Sequence, residues 1–132
     1  MTPVEFMRTV YLGDRGCKSI LIDGAASETK IQINVISRVR SETWDFYSAE
    51  DLIDGRLVFE GVSSVSFEPP GPVPNGLIDV LSVECPSEDS SDFRFVFVTE
   101  SVDQTGEATR VVIEILARSV ALEDAKGRRI RE

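Results

Sequence analysis

The side chains that most often perform acid-base and nucleophilic catalysis are scarce in this sequence. Histidine, whose pKa lies near neutrality and which is the base in Ser-His and Cys-His catalysis, is absent from the 132 residues. Cys17 and Cys85 therefore lack that activating partner, and we interpret them as core or surface residues. Two thiols without histidine complete none of the common zinc ligand sets. We predict no catalytic residue, no metal site and no cofactor, and hence a protein that is not an enzyme.

Carboxylates could perform acid-base chemistry without histidine, and acids are grouped in two places. The groups are Glu50, Asp51 and Asp54, and Glu88, Asp89 and Asp92. The first group is typical of the start of a helix and the second of a polar turn, and neither lies in an apolar run that would raise a carboxylate pKa. Neither has the ligand spacing and central glycine of an EF-hand. We therefore expect solvated charge at both places.

Aromatic and guanidinium side chains are densest between residues 38 and 47. Arg38 and Arg40 precede Trp44 and Tyr47, and together these side chains could stack on, or hydrogen-bond with, planar or anionic groups of a partner. We predict the binding patch at these four residues, with the proline-rich segment 68–76 as the second place to look. The alternative is that Trp44 packs in the core, as a lone tryptophan in a small β domain usually does.

The charge balance restricts the partners. The formal net charge is −9 and the isoelectric point is near 4.5, so polyanions are repelled and direct nucleic-acid binding is not expected. A basic run, Lys126, Arg128, Arg129 and Arg131, ends the chain, and we interpret it as a solvated or frayed tail. No signal peptide is evident and no apolar stretch is long enough to span a membrane, which predicts a cytoplasmic protein without membrane contact.

Alternation of apolar and polar residues predicts a mainly β protein, in one domain over residues 1–132. Residues 17–22 and 30–39 are interpreted as a hairpin, and the strongest later strands cover 78–83, 93–99 and 110–116. A short helix is predicted near 49–54 from the possible N-cap Ser48, the acids that follow it and Gly55. The order of strands and polar loops indicates an antiparallel meander that forms a sandwich or a partly open barrel.

Some segments leave alternatives open. Residues 3–8 fit either a short helical turn or an edge strand, and 117–122 fits a strand as well as the helical spacing of the tail. Residues 68–76 contain four prolines and two glycines, so they are predicted to form an extended loop that crosses between strands of one domain.

Several short runs resemble a group of small uncharacterised bacterial β-rich proteins of unknown function. The runs are residues 36–40, 44–47, 50–51, 55–59, 61–62 and 71–75, about half of the chain. The order of strands and the Phe-Glu-Gly-Val segment at 59–62 are also similar to small β domains at bacterial toxin-immunity loci. This resemblance implies no catalytic activity.

Two functions remain open at this stage. The first is a non-enzymatic protein-binding module of immunity or accessory type, whose acidity would suit a basic partner. The alternative is a β-barrel that binds a small molecule or is weakly catalytic, with carboxylates and Tyr47 lining a pocket. A homodimer formed through an exposed edge strand is a further hypothesis.

Overall fold

A computed structural model of the chain describes residues 1–39 and 50–132. Within those ranges the chain forms one short helix, α1 (Pro3–Met7), and strands that are numbered in chain order. The strands are β1 (Val10–Tyr11), β2 (Cys17–Asp23), β3 (Glu28–Ile33), β4 (Val35–Arg38), β5 (Glu50–Ile53), β6 (Arg56–Glu60), β7 (Ser64–Glu68), β8 (Ile78–Glu84), β9 (Phe93–Val102), β10 (Ala108–Ala117), β11 (Ser119–Glu123) and β12 (Arg129–Ile130). The prediction of a mainly β protein is confirmed.

Helix α1 lies within residues 3–8, for which the sequence allowed either a helical turn or an edge strand. Thr2 and Glu5 form a capping box, in which the Thr2 hydroxyl accepts from the Glu5 N–H at 3.2 Å and the Glu5 carboxylate accepts from the Thr2 N–H at 3.0 Å. Pro3 is at the first helical position, where its missing N–H is not needed. The helix places Phe6 and Met7 in the core.

The larger of the sheets has five strands in the order β12-β11-β6-β3-β2, all antiparallel. Its β2–β3 pair is the predicted hairpin, although the second predicted strand divides at Asn34 into β3 and β4. Strand β2 is at one edge of this sheet. Residues 117–122, for which the sequence allowed either a strand or a helix, contribute to strand β11, which pairs with β6.

A four-stranded antiparallel sheet has the order β7-β10-β9-β8. Strands β8, β9 and β10 are neighbours in sequence and in space, which confirms the predicted meander for this part of the chain. The proline-rich segment lacks strand structure over residues 69–77 and leads from β7 to β8, which lie at opposite edges of the sheet. We call residues 69–76 the proline loop.

The prediction of a helix near 49–54 is wrong for the residues of this segment that the structure describes, because residues 50–53 form strand β5. This strand pairs antiparallel with β4, and β1 completes a three-stranded sheet in the order β1-β4-β5. The acids that favour a helix start are accommodated in a strand because β4 offers a complete row of backbone partners. Asp54 takes a positive φ of 56° and starts the turn into β6, so the predicted helix end at Gly55 is instead a tight β-turn.

The two larger sheets face each other across one core. The core includes Ile31 and Leu57 of the five-stranded sheet and Phe97 and Ile113 of the four-stranded sheet, and all four side chains are fully buried. Phe59 and Phe95 connect the layers, with ring centroids 4.9 Å apart in an edge-to-face arrangement. The described strands thus form an open sandwich, and none of the sheets in these ranges closes into a barrel.

Candidate functional site

Arg38, one of the four residues predicted to form the binding patch, is inside the fold and only 3% exposed. It donates a hydrogen bond to the Thr9 hydroxyl at 3.1 Å, and its guanidinium carbon lies 5.3 Å from the centre of the Phe6 ring. A further bond reaches the backbone carbonyl of Glu132 at 3.4 Å. Arg38 therefore connects β4 with α1 and with the end of the chain.

The other members of the predicted patch, Arg40, Trp44 and Tyr47, lie outside the described residues. The patch as a whole therefore stays a prediction.

The acids of the first predicted group take part in contacts within the fold. Asp51 accepts a hydrogen bond from the Ser37 hydroxyl at 2.7 Å, and Asp54 pairs with Lys18 at 2.7 Å. Across the described ranges no three side chains of histidine, cysteine, aspartate or glutamate are grouped so that they could hold a metal ion. These carboxylates pair with side chains of the fold instead of converging on a reaction centre.

Both cysteines are free thiols, Cys17 buried and Cys85 exposed. Burial raises the pKa of the Cys17 thiol to about 11, and a hydrogen bond with the backbone of Ser19 only partly offsets that effect. Because the thiolate is the nucleophilic form, Cys17 is almost wholly unreactive at neutral pH. Of the two alternatives left open for Cys17, core or surface, the structure shows the core.

The expectation of a solvated or frayed tail fits Lys126 and Arg128, which are exposed, but it is wrong for Arg129 and Arg131, which are anchored by acids. Glu28 and Glu60 are directly opposite each other on β3 and β6, an arrangement of like charges that repels. Arg129 of β12 lies between them, at 2.9 Å from Glu28 and 3.0 Å from Glu60, and it also reaches Glu123 at 3.2 Å. Arg131 binds the Glu60 carboxylate through both of its terminal nitrogens. The last strand thus neutralises acids of the sheet.

These contacts change the acidity of the carboxyls involved. The hydrogen bond from Arg131 is the largest influence on Glu60 and holds its pKa below the usual value of 4.5, although partial burial opposes the change. Burial also opposes the ionisation of Glu123, but bonds from Lys30 and Arg129 outweigh it and lower the pKa of that carboxyl. The tail's arginines therefore stabilise the folded chain rather than form a free basic patch.

Strand β2 combines apolar side chains with an edge position. Its central residues are Ile20, Leu21 and Ile22, of which Leu21 is 55% and Ile22 54% exposed. Natural proteins usually shield such edges with charge, proline or a covering segment, because an exposed apolar edge invites pairing with another strand. A bulge at Lys18 disturbs only the beginning of β2. The apolar centre of this edge strand is open.

The proline loop lies beside this edge and is firmly anchored at its end. Asn75 forms a two-point contact with Val102 at the end of β9, accepting from its N–H at 2.7 Å and donating to its carbonyl at 3.0 Å. Gly76 donates its N–H to the carbonyl of Glu100 at 2.8 Å and accepts from the N–H of Cys17 at 3.0 Å. The loop is therefore held both to the four-stranded sheet and to the start of β2.

Between β2, the proline loop and β7 lies an apolar groove, which we call the edge groove. Its first recess encloses about 420 Å³ and is lined by Ile20, Ile22, Phe67 and residues 70–75. Its second recess encloses about 300 Å³ and is more polar, since Asp23, Ser27 and Glu28 line it together with Ile22, Thr29 and residues 62–65. Ile22 lines both recesses, so the two are neighbours along β2.

One polar atom in the edge groove is conspicuous. The Thr29 side chain is fully buried, and its hydroxyl oxygen has no hydrogen-bond partner among the described residues. Buried hydroxyls are normally bonded, since leaving one without a partner costs about 1–3 kcal/mol. The hydroxyl lies below the surface of the groove, so it is a cost to the fold and not a contact point for a ligand.

The rim of the edge groove is acidic. Lys18 lines the first recess, but its charge is offset by Asp54 at 2.7 Å. Asp23 and Glu28 line the second recess. Glu28 is paired with Arg129 at 2.9 Å, whereas Asp23 forms no ion pair within the part of the chain that the structure describes. The first recess is thus mainly apolar, and the second has an unneutralised acid at its margin.

The sequence contains one signal for this site. The run Ile20-Leu21-Ile22 is apolar at three consecutive positions, so one of its side chains must point away from the core whichever face is inside. Strand order then decides whether that run is covered by a neighbouring strand. Only the structure shows that β2 is an edge strand.

These features define a small antiparallel β-sandwich with an apolar groove along one open edge. The chain belongs to a family of unknown function, DUF6258, whose match covers residues 1–132. Neither a curated protein nor a solved structure matches the chain. Within the described ranges, α1 is too short to cross a membrane and no longer apolar helix occurs.

Proposed function

We propose that this chain is a non-enzymatic protein-binding module and that the edge groove is its contact surface. The observation that carries the proposal is the open apolar edge of β2, where Leu21 and Ile22 are each more than half exposed beside a groove of about 420 Å³. Exposed apolar surface that is contiguous and has a polar margin marks interaction sites on soluble proteins.

The charge of the chain supports a basic partner. A net charge of −9 attracts a positively charged protein over a distance and orients it before contact. Asp23, at the margin of the second recess, adds a local complement. An immunity or accessory protein of a bacterium that binds a basic protein would have these properties, and the free thiols of Cys17 and Cys85 fit a reducing cytoplasm.

A small-molecule site is the second candidate, and one observation favours it. The larger recess, at about 420 Å³, is within the size range of ligand pockets and is lined mainly by apolar side chains. Its described lining contains no carboxylate, so the weakly catalytic version of this proposal has no support there. An apolar ligand that occupies this recess would compete with a protein partner.

The proposal is tested by affinity capture from the native host with paired variants. Ile22→Lys changes the groove, and Ile53→Lys is its matched control, because Ile53 is also an exposed isoleucine on an edge strand, at 70% exposure. A protein recovered by the wild type and by Ile53→Lys, but lost from Ile22→Lys, would support the proposal. A partner that all three forms retain equally would place the binding surface elsewhere and overturn it.

A further inference from the structure

Resting on the proposed function, we propose that the partner contributes an extended segment that pairs with β2 as a sixth strand of the five-stranded sheet. Its alternate side chains are apolar and enter the edge groove, and the side chains between them are basic. The partner is thus recognised through its backbone and through a pattern of two alternating residue types.

The backbone of β2 has hydrogen-bonding groups that point away from β3. Residues of an antiparallel pair alternate in the side to which their N–H and C=O groups point. The N–H of Ile33 points toward β6, since it donates to the carbonyl of the residue before β6 at 2.9 Å. Thr29 and Ile31 face the same way because they lie an even number of residues before Ile33. Their partners on β2, Ile22 and Ile20, therefore direct their own N–H and C=O groups to the open edge.

The chain's own proline loop occupies the start of this edge and cannot continue along it. Cys17 donates its N–H to Gly76 at 3.0 Å, and Gly16 forms an isolated antiparallel bridge with Leu77. The residues before Asn75 include three prolines in the first recess, and proline has no N–H to offer a ladder. Among the described residues, no backbone hydrogen bond joins the proline loop to β2 beyond Cys17, and the proposed segment takes this part of the edge.

The side-chain directions explain why alternate residues of that segment should be apolar. Ile20 and Ile22 are opposite Ile31 and Thr29, which are both fully buried, so the two isoleucines point to the inner side of the sheet. A residue paired with either of them shares that side. Its side chain enters the edge groove beside Phe67.

The charge of the opposite side explains why the intervening residues should be basic. These residues lie over Leu21, which is 55% exposed, and over Asp23 at the end of β2. Lys30 is opposite Leu21 on this side, but its charge is offset by Glu123 at 2.9 Å. A lysine or arginine packs its aliphatic stem on an apolar surface and extends its charge to a carboxylate. A second copy of this chain is a poorer occupant, since each copy carries a charge of −9.

The probe for this proposal is a blocked synthetic peptide of alternating lysine and valine, about as long as β2. We expect saturable binding, and we expect amide hydrogen exchange of Ile20 and Ile22, followed by NMR, to slow by at least about tenfold. N-methylation of the valines should abolish binding because it removes the backbone donors. A peptide of alternating glutamate and valine should bind at least about tenfold more weakly. Ile22→Lys should lose the interaction, and Ile53→Lys should retain it.

Several results would overturn strand addition. One is binding without slower exchange at Ile20 and Ile22, and another is equal binding of a peptide with its lysines and valines in separate blocks. Dimers of the wild type, detected by light scattering and abolished by Ile22→Lys, would make a second copy the occupant instead. A host partner that requires Ile22 but leaves both amides exchanging freely would overturn strand addition and leave the proposed function standing.

Discussion

Replacing Ile22 by lysine should separate the stability of the fold from its binding function. Ile22 is 54% exposed, so the folded chain covers a little under half of its side chain. Complete burial of an isoleucine contributes about 1.5–3 kcal/mol, and the lysine stem retains part of the contact. We therefore expect the free energy of unfolding to fall by about 1 kcal/mol or less. The neighbouring Ile31→Ala is the contrast, since Ile31 is fully buried and its truncation should cost about 2–5 kcal/mol.

Ile22→Lys should weaken binding more than it destabilises the fold. A partner in the edge groove covers the part of Ile22 that the free protein exposes, which contributes about 1–1.5 kcal/mol, and a buried ammonium adds a desolvation cost. The dissociation constant should rise at least about tenfold. Urea unfolding gives the stability and calorimetric titration of the partner gives the affinity. A loss of stability as large as that of Ile31→Ala would mean that Ile22 is a core residue and would refute this reasoning.

The remaining predictions concern the tail, the proline loop and the buried thiol. Glu60→Gln should reduce the fall in the free energy of unfolding at acid pH. The pKa of Glu60 is lowered in the folded state, so its contribution to stability is present above pH 4.5 and is lost as the pH falls through the lowered value. An unchanged dependence of stability on pH would contradict this. Gly76→Ala should lower the free energy of unfolding by about 1–3 kcal/mol, because an added Cβ lies 2.9 Å from the Cβ of Glu100. Gly24→Ala is the control: its added Cβ meets no atom within 4 Å, so it should leave the stability unchanged in the same urea assay. In the native protein, maleimide should label the exposed cysteine and spare Cys17, whereas equal labelling of both would show that Cys17 is accessible.

The strands could be predicted where local pattern and tertiary environment agree. Residues 93–99 and 110–116 have enough apolar positions to identify them as strands wherever they pair, and they form β9 and β10. Residues 50–54 show the opposite case. A possible cap, acids and a following glycine suggest a helix locally, but pairing with β4 overrides these weak preferences.

The candidate site could be predicted only in part. The proline-rich segment was the second place proposed for binding, and its residues line the first recess of the edge groove. The role of β2 depends on its position at the edge of a sheet, and strand order is set by contacts between distant parts of the chain. The burial of Arg38 has the same origin, because α1 and the end of the chain enclose it. No local pattern contains that information.

The central claim is that the edge groove is the surface that binds a partner. Its most direct test is amide hydrogen exchange of the full chain, alone and with the protein captured from the host. We expect slower exchange in β2, above all at Ile20 and Ile22, and in the residues 73–77 that lie beside it. Unchanged exchange in β2, with protection confined to residues 38–47, would contradict the account and favour the patch predicted from the sequence.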